Sequence, residues 1–405
     1  MNAPAPFNRR EMLRQSCAGF GMLALHGLLG SEASAASLNP LAAKQPHFPA
    51  KAKRIIFLLM KGGPSQVDTF DPKPLLDRDH GKPPPFALPR VTFAKTGNLL
   101  RSPWKFRQYG QSGLPVSDLF PHVGQCADEL CVIRSMHGTN PAHGGALLKL
   151  HTGSDTFVRP SMGAWVSYGL GTENTDLPAF LTICPTLAHG GVNNWGSAFL
   201  PAWCQGTPLG NASISAEQAL VRHIKNTRTP TPLQRLQLDR ASDLNHRHLE
   251  AAGTNAALEA RIESFELAFR MQSSMPEIQG IEGETEATRK LYGLDDPVTA
   301  NFGRQCLMAR RFAERGVRFI QVTHSDGFVQ WDQHGDLLKG HTKNAAEVDK
   351  PIAGLLRDLR ARGLLDDTLV LWGGEFGRTP VAQGTDGRDH NPHGFTMWMA
   401  GGGVK

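Results

Sequence analysis

The sequence predicts one large α/β domain built on a mostly parallel sheet, and three observations point there. Short, mostly apolar runs recur at 54–60, 130–135, 179–184, 317–323, 368–372 and 396–400; such runs suit strands covered on both faces. In the second half they alternate with helical stretches at 300–315 and 343–362, the pattern of right-handed βαβ crossovers. A chain of 405 residues with 40% hydrophobic content can also bury one extended core without dividing into independent domains.

The N-terminus reads as an address rather than as part of the fold. Arg9-Arg10 precede a mostly apolar run at 17–29 and the small-residue pattern Ala33-Ser34-Ala35, which together make a twin-arginine signal over residues 1–35. The apolar run is shorter than the roughly 20 residues that a helical span needs, so no stable membrane span is expected. Cys17 precedes the run, which speaks against a lipoprotein cysteine. The expected destination is periplasmic or extracellular, reached through the twin-arginine translocase. Cys126, Cys131, Cys184, Cys204 and Cys306 follow the signal with no C-x-x-C pair. That pattern excludes zinc-ribbon and redox motifs and predicts buried free thiols. The formal charge of +6 is spread without a long basic run, so no nucleic-acid surface is indicated.

Taken in order, RIIFLLM at Arg54–Met60 is the first strand, ending in the turn Lys61-Gly62-Gly63-Pro64-Ser65. Residues 72–115 are rich in Pro, Gly and charge without a sustained period, which marks a long surface excursion. The strand at 130–135 leads through the loop 137–143 into a short helix at 144–150; a helix at Met162–Leu170 and a strand at 179–184 follow. From 215 to 275 the reading is helical, with Leu258, Ile262, Phe265 and Phe269 forming one apolar stripe at helical spacing. Long helices with no strand between them read as an insertion laid over the sheet, covering 213–298 of a domain that spans 48–405. The chain stops inside the glycine turn Gly401-Gly402-Gly403 just after an apolar strand, and the expectation is a truncated reading frame.

Four polar clusters lie at strand ends. They are Ser65/Asp68/Asp71, Asn140/His143, His324/Asp326/Asp332/His334 and Glu375/Arg378/Asp389/His390/His393. In a parallel sheet all four open on the same edge, where ligand sites of α/β proteins sit. Any one of these residues alone is more often a turn or capping residue; their coincidence is what suggests a site. Imidazole and carboxylate without thiolate suit Zn²⁺ or Mn²⁺, or Ca²⁺ and Mg²⁺ where carboxylates dominate. Such an ion polarises an ester oxygen or activates water, and a guanidinium beside it can clamp a tetrahedral oxyanion; Arg378 is the first choice for that clamp and Lys61 the second. No G-x-S-x-G, P-loop or dinucleotide fingerprint is present, which sets aside serine-hydrolase and nucleotide-binding readings.

GGPSQVDTFDPKP at 62–74, NPAHGGALLKLHTG at 140–153, WDQHGD at 331–336, GGEFGRTP at 373–380 and GRDHNPHGF at 387–395 together resemble the domain of unknown function 1501 family. These are exported bacterial proteins with an alkaline-phosphatase-like or sulfatase-like fold. The resemblance implies a three-layer sandwich with helices on both faces of the sheet, and metal-assisted cleavage of phosphate or sulfate esters of small molecules or glycans. It places Glu375 on a metal-binding Asp and Phe376 where a second ligand is expected. His143 falls where the superfamily has its nucleophile, so a nucleophile, metal ligand or general base is implied there, with Ser65 as the alternative attacking group. Asp332 and His334 resemble the Asp–His ligand pair and His390 the final His ligand, with His393 a further donor. Met60-Lys61-Gly62 occupy the point where the first strand should end on a ligand Asp, so Asp68 or Asp71 would substitute. Two functions follow: a metal-dependent ester hydrolase, or a catalytically degenerate relative serving as a secreted binding or cell-surface protein.

Overall fold

The computed structural model describes residues 42–87, 95–219, 228–252 and 256–404; the signal at 1–35 lies outside the described residues, as does the side chain of Leu258. Seven strands form the central sheet: β1 (Arg54–Met60), β2 (Leu130–Met136), β3 (Phe180–Ile183), β4 (Thr207–Leu209), β5 (Phe319–His324), β6 (Thr368–Gly373) and β7 (Phe395–Ala400). Their order is β2-β7-β6-β1-β5-β3-β4. β1 pairs in parallel with β5 and β6, and β3 with β5 and β4, while β7 runs antiparallel between β2 and β6. The fold is thus α/β with a mostly parallel sheet, and the C-terminal ends of β1, β2, β5 and β6 open on one edge.

β1 shows why helices cover both faces. Ile56, Leu58 and Met60 point into the larger core with α5 (Ala300–Glu314) and α6 (Leu337–Ala361); Phe57 and Leu59 point into a second core with Leu147 of α1 (His143–Thr152) and Met162 and Val166 of α2 (Met162–Leu170). The period-2 alternation of a strand sends successive side chains to opposite layers. Each fully buried Leu, Ile or Phe here stabilises the fold by roughly 1.5–3 kcal/mol relative to exposure.

Local signals set the helix ends. Ser161 accepts the Ala164 N–H at the start of α2, and α1 closes on Gly153, whose φ of 77° is left-handed, the conformation glycine adopts without penalty. α6 begins at Leu337, six residues before the periodicity suggests, because Asp336 enters the left-handed region (φ 51°) and starts the helix ahead of Gly340. Thr207–Leu209 was not evident as a strand: it is three residues long, contains Pro208 and lies at the sheet edge, where proline is tolerated. The region read as helical resolves into α3 (Thr231–Ala252) and α4 (Ala256–Gln279), with a turn rather than a helix at 215–219. Ile262 is buried and Phe269 lies under the Arg235 guanidinium, but Phe265 is exposed, so the proposed stripe does not form one continuous buried face. Among the described cysteines all five are free thiols, four of them buried.

A buried carboxylate ties α6 to the short helix Pro121–Gly124 before β2. Asp349 accepts the backbone N–H groups of His122 and Val123, both at 2.8 Å. Burial raises its pKa to about 6, against the opposing pull of those two bonds. A folded-state pKa above the unfolded value near 3.9 gives a contribution complete below about pH 4 and lost as pH rises through 6. Relative to Asp349→Asn, the wild-type protein is expected to lose about 2–3 kcal/mol of stability between about pH 4 and pH 7, measured by urea unfolding of both proteins. A difference that stays flat across that range contradicts the assignment.

Candidate metal centre

Three loops at the shared sheet edge bring the site together. His143 is the first residue of α1, set there by an Asx turn in which Asn140 Oδ1 accepts the Ala142 N–H at 2.9 Å. Asp332 and His334 lie on the loop between β5 and α6, and Glu375 and His390 on the segment after β6. His143 Nε2 lies 3.1 Å from Asp332 Oδ2, while His334 Nε2 and His390 Nε2 each lie 3.0 Å from Asp332 Oδ1. The centre opens to solvent at His334, whose side chain is 33% exposed, while His143 and His390 are buried.

The far nitrogens decide what the near ones can do. His143 Nδ1 lies 2.7 Å from the buried Glu375 carboxylate, and His390 Nδ1 lies 2.6 Å from the Pro141 carbonyl oxygen. Both of those oxygens only accept, so each Nδ1 carries its proton. A neutral imidazole then turns a lone pair from Nε2 toward Asp332. Burial, with the charges of Arg378 and His143 added, lowers the His390 pKa and favours that neutral form. The 3.1 Å approach of His143 Nε2 to Asp332 is out of line for a hydrogen bond, leaving that buried nitrogen without a hydrogen-bond partner among the described residues. Two lone pairs aimed at one carboxylate require positive charge between them. Burial opposes a charged His143 ring, but the Asp332 and Glu375 carboxylates prevail and raise its pKa, so in the absence of an ion a second proton supplies that charge.

His143, Asp332 and His390 offer one donor atom each within 4.8 Å of one another, as do His334, Asp389 and His390. Asp389 Oδ2 is a second buried atom without a hydrogen-bond partner among the described residues. An N/N/O donor set with two carboxylate or carbonyl partners on the outer nitrogens fits a divalent ion, because metal-bound histidines are oriented in this way. Asp332 is ionised: burial resists the charge, but the three imidazoles and Arg378 hold its pKa far below the usual carboxylate range.

Several expected residues take other parts. Glu375, expected as a metal ligand, accepts the Gly62 N–H at 3.0 and 3.1 Å and the His143 Nδ1–H at 2.7 Å, and it is in neither donor group. Arg378, expected as an oxyanion clamp, is wholly buried. Its Nε donates to Gly63 O at 2.9 Å and Nη1 to Arg388 O at 3.2 Å; Nη2 donates to Gly62 O, to Trp331 O at 3.2 Å and to Asp332 Oδ1 at 2.7 Å. Those donors are spent on the protein itself, so the guanidinium cannot grip a substrate.

Asp68, expected as a ligand, forms a fully buried ion pair with Arg388 at 2.7 Å, and Ser65 Oγ donates to the same carboxylate. Ser65 is itself fully buried, which removes it as an exposed nucleophile. Asp71 pairs with Lys73 at 2.8 Å. His393 is exposed and lies beside His137, with the rings tilted and their centroids 5.5 Å apart, and is in neither donor group. Lys61 is buried; its amine donates to Ala188 O at 2.7 Å, and burial lowers its pKa to about 8 against the pull of Glu375 and Asp326.

Phe376 packs its ring 4.9 Å from His143 and 4.4 Å from His390, so the residue after Glu375 shields the imidazoles. Sequence reading passed over His189 and Gln383. Gln383 Oε1 meets His334 Nδ1, and His189 sits with its ring 5.3 Å from His143 in a left-handed backbone conformation (φ 55°). The signal for His189 was a His-Gly-Gly turn after the strand at 179–184, on the same sheet edge as the other clusters.

The chain has few likenesses to known proteins beyond its family and fold. No protein with a curated description matches it. Among solved structures it is similar to the lipoteichoic acid synthase LtaP from Listeria monocytogenes, with TM-score 0.33 and 11% identity, covering 90% of this chain and 71% of that one. It is similar to an alkaline phosphatase from the Antarctic bacterium TAB5, with TM-score 0.34 and 9% identity, covering 87% and 92%. The PsFucS1 sulfatase from Pseudoalteromonas sp. gives TM-score 0.30 and 12% identity, covering 98% and 67%. These likenesses are distant, and the fold class rests on the sheet order and layers of the chain itself. Residues 52–405 match the model of the family described as a protein of unknown function, DUF1501, and the chain belongs to that family.

Proposed function

We propose that this protein is an exported, metal-dependent hydrolase of phosphate or sulfate esters, directed by its twin-arginine signal to the periplasm or the exterior. The observation that carries the reading is the pair of buried imidazoles, His143 and His390, each with Nδ1 committed and Nε2 aimed at one carboxylate. His143 Nε2, His390 Nε2 and Asp332 would hold a divalent ion (Zn, Mn, Ca or Mg), with His334 and Asp389 beside them. When bound, such an ion supplies Lewis acidity to the ester oxygens and to water.

The chain's own residues supply placement. Glu375 and the Pro141 carbonyl fix the rotation of the two rings, Arg378 fixes Asp332, and Phe376 excludes water from one side. His143 serves as a ligand in this arrangement, which leaves water as the attacking group.

The test is hydrolysis of 4-nitrophenyl phosphate and 4-nitrophenyl sulfate by the full chain supplemented with each ion. We expect turnover of at least one ester that a chelator abolishes and the ion restores, with melting temperature falling on chelation because the ion binds only the folded state. A second reading, a secreted binding protein on a degenerate scaffold, is favoured by Phe376 occupying the place where the resemblance expects a ligand. Chelator-sensitive stability without turnover of either ester supports that reading; turnover that survives chelation contradicts the proposed chemistry.

A further inference from the structure

His189 is in neither donor group, yet its ring stands against the centre, with its centroid 5.3 Å from that of His143. On its other side lies Phe328, at 4.7 Å between centroids, a residue 59% exposed. Neither ring nitrogen of His189 has a hydrogen-bond partner among the described residues. Nδ1 is sealed from solvent, which leaves Nε2 as the nitrogen that can meet a ligand.

The backbone of His189 is left-handed, with φ 55°. Side chains other than glycine enter that region seldom, and they stay there only where the surroundings over-determine it. Here they do. Buried Lys61, just past the end of β1, donates to Ala188 O at 2.7 Å and to Thr186 Oγ1 at 3.4 Å, and Asn194 Nδ2 donates to His189 O at 3.2 Å. Thr186 Oγ1 accepts the Ala188 N–H at 3.2 Å and donates to Gly327 O at 2.6 Å. That last bond joins the turn of His189 to the turn of Phe328, where Asp326 Oδ1 accepts the Phe328 N–H at 3.0 Å. The two turns follow β3 and β5, on the sheet edge that carries the centre. A buried ammonium, a threonine and an asparagine thus hold in place one imidazole that has no bond of its own to make within the protein.

Resting on the ester-hydrolase reading, we propose that His189 is a substrate-binding residue and Phe328 a specificity-determining one. His189 Nε2–H donates to a non-bridging oxygen of the phosphoryl or sulfuryl group, and Phe328 is the wall on which the alcohol portion lies, favouring aryl over small alkyl esters. Such an oxygen only accepts, so the imidazole proton sits on Nε2 and Nδ1 keeps its lone pair. The attraction for the anion comes from the ion; the imidazole supplies direction. A phenyl ring meets an aryl group edge-on or offset with contacts that a methyl group cannot offer.

Two substitutions at His189 separate binding from folding. Gly takes the left-handed backbone without strain and brings no donor; Asn tolerates the same backbone and keeps an N–H. Calorimetry of the full chain supplied with the ion uses inorganic phosphate and inorganic sulfate. The expected result is binding of at least one of them, weakened about 10-fold or more in His189→Gly, the usual effect of losing a hydrogen bond to a charged group. The loss should be smaller in His189→Asn, and His189→Gly should melt no lower than wild type. Phenylphosphonate should bind more tightly than methylphosphonate, or benzenesulfonate than methanesulfonate, and Phe328→Ala should abolish that preference. Turnover of the 4-nitrophenyl esters is measured beside it. Anion binding that depends on His189 with no ester turned over overturns the hydrolase reading and leaves the assignment of His189 standing. No binding of either inorganic anion, binding unchanged in His189→Gly, or a loss matched by lower melting temperatures in both His189 variants overturns that assignment. A phenyl preference that is absent, or that survives Phe328→Ala, overturns the assignment of Phe328.

Discussion

His143→Ala is expected to reduce ester hydrolysis by the full chain at least 1000-fold, on the order of 4 kcal/mol of transition-state stabilisation. The substitution removes the imidazole that bridges Asp332 through Nε2 and Glu375 through Nδ1, and it leaves the fully buried Glu375 carboxylate facing a void. Glu375→Gln keeps the shape but not the charge, and should lower metal affinity about 10–100-fold, the usual effect of altering a group that orients a ligand. Ser65→Ala should be far milder, because Ser65 is enclosed and its hydroxyl already donates to Asp68. Steady-state kinetics of the three variants on the same 4-nitrophenyl ester decide the matter. An inactive Ser65→Ala with a near wild-type His143→Ala would make Ser65 the attacking group and displace the imidazole from the chemistry.

Arg378→Met should be the most destabilising single change at the site. It leaves Asp332 and the carbonyls of Gly62, Gly63, Trp331 and Arg388 without the donors that now satisfy them. Removing one partner from a buried pair costs about 3–5 kcal/mol, because the other charge stays buried and uncompensated. Arg378→Lys should recover little of it, since an ammonium cannot span acceptors spread around a planar fork. Urea unfolding gives the number. A loss under about 1 kcal/mol together with a large rise in KM would contradict the keystone role and return the guanidinium to substrate binding.

Much of the scaffold was legible because its signals are local. RIIFLLM is a strand by its own composition, and its even and odd positions enter two different cores; α1 ends where Thr152-Gly153 says it should. The convergence of His143, Asp332, His334 and His390 could be anticipated from parallel strands whose ends share an edge. The division of labour among those residues could not. Glu375 and Asp332 are both carboxylates at strand ends, and only their partners, the Gly62 N–H and the His143 Nδ1 on one against Nε2 of three rings on the other, tell them apart. Arg378 and Asp68 find their charged partners, Asp332 and Arg388, 46 and 320 residues away, a pairing that no local pattern carries. His189 escaped notice because one imidazole in a glycine turn has no periodic context, although its left-handed backbone at a sheet edge is the strained kind that gathers at functional sites.

The most direct test of the metal centre is elemental analysis of the full-length protein purified with divalent ions supplied, beside the His143→Ala/His390→Ala double variant. The account predicts at least one divalent ion per wild-type chain and under about a tenth of that in the folded double variant, as expected when two of three ligands are lost. Wild-type protein that retains no ion after supplementation, or a double variant that retains a full complement, would contradict it.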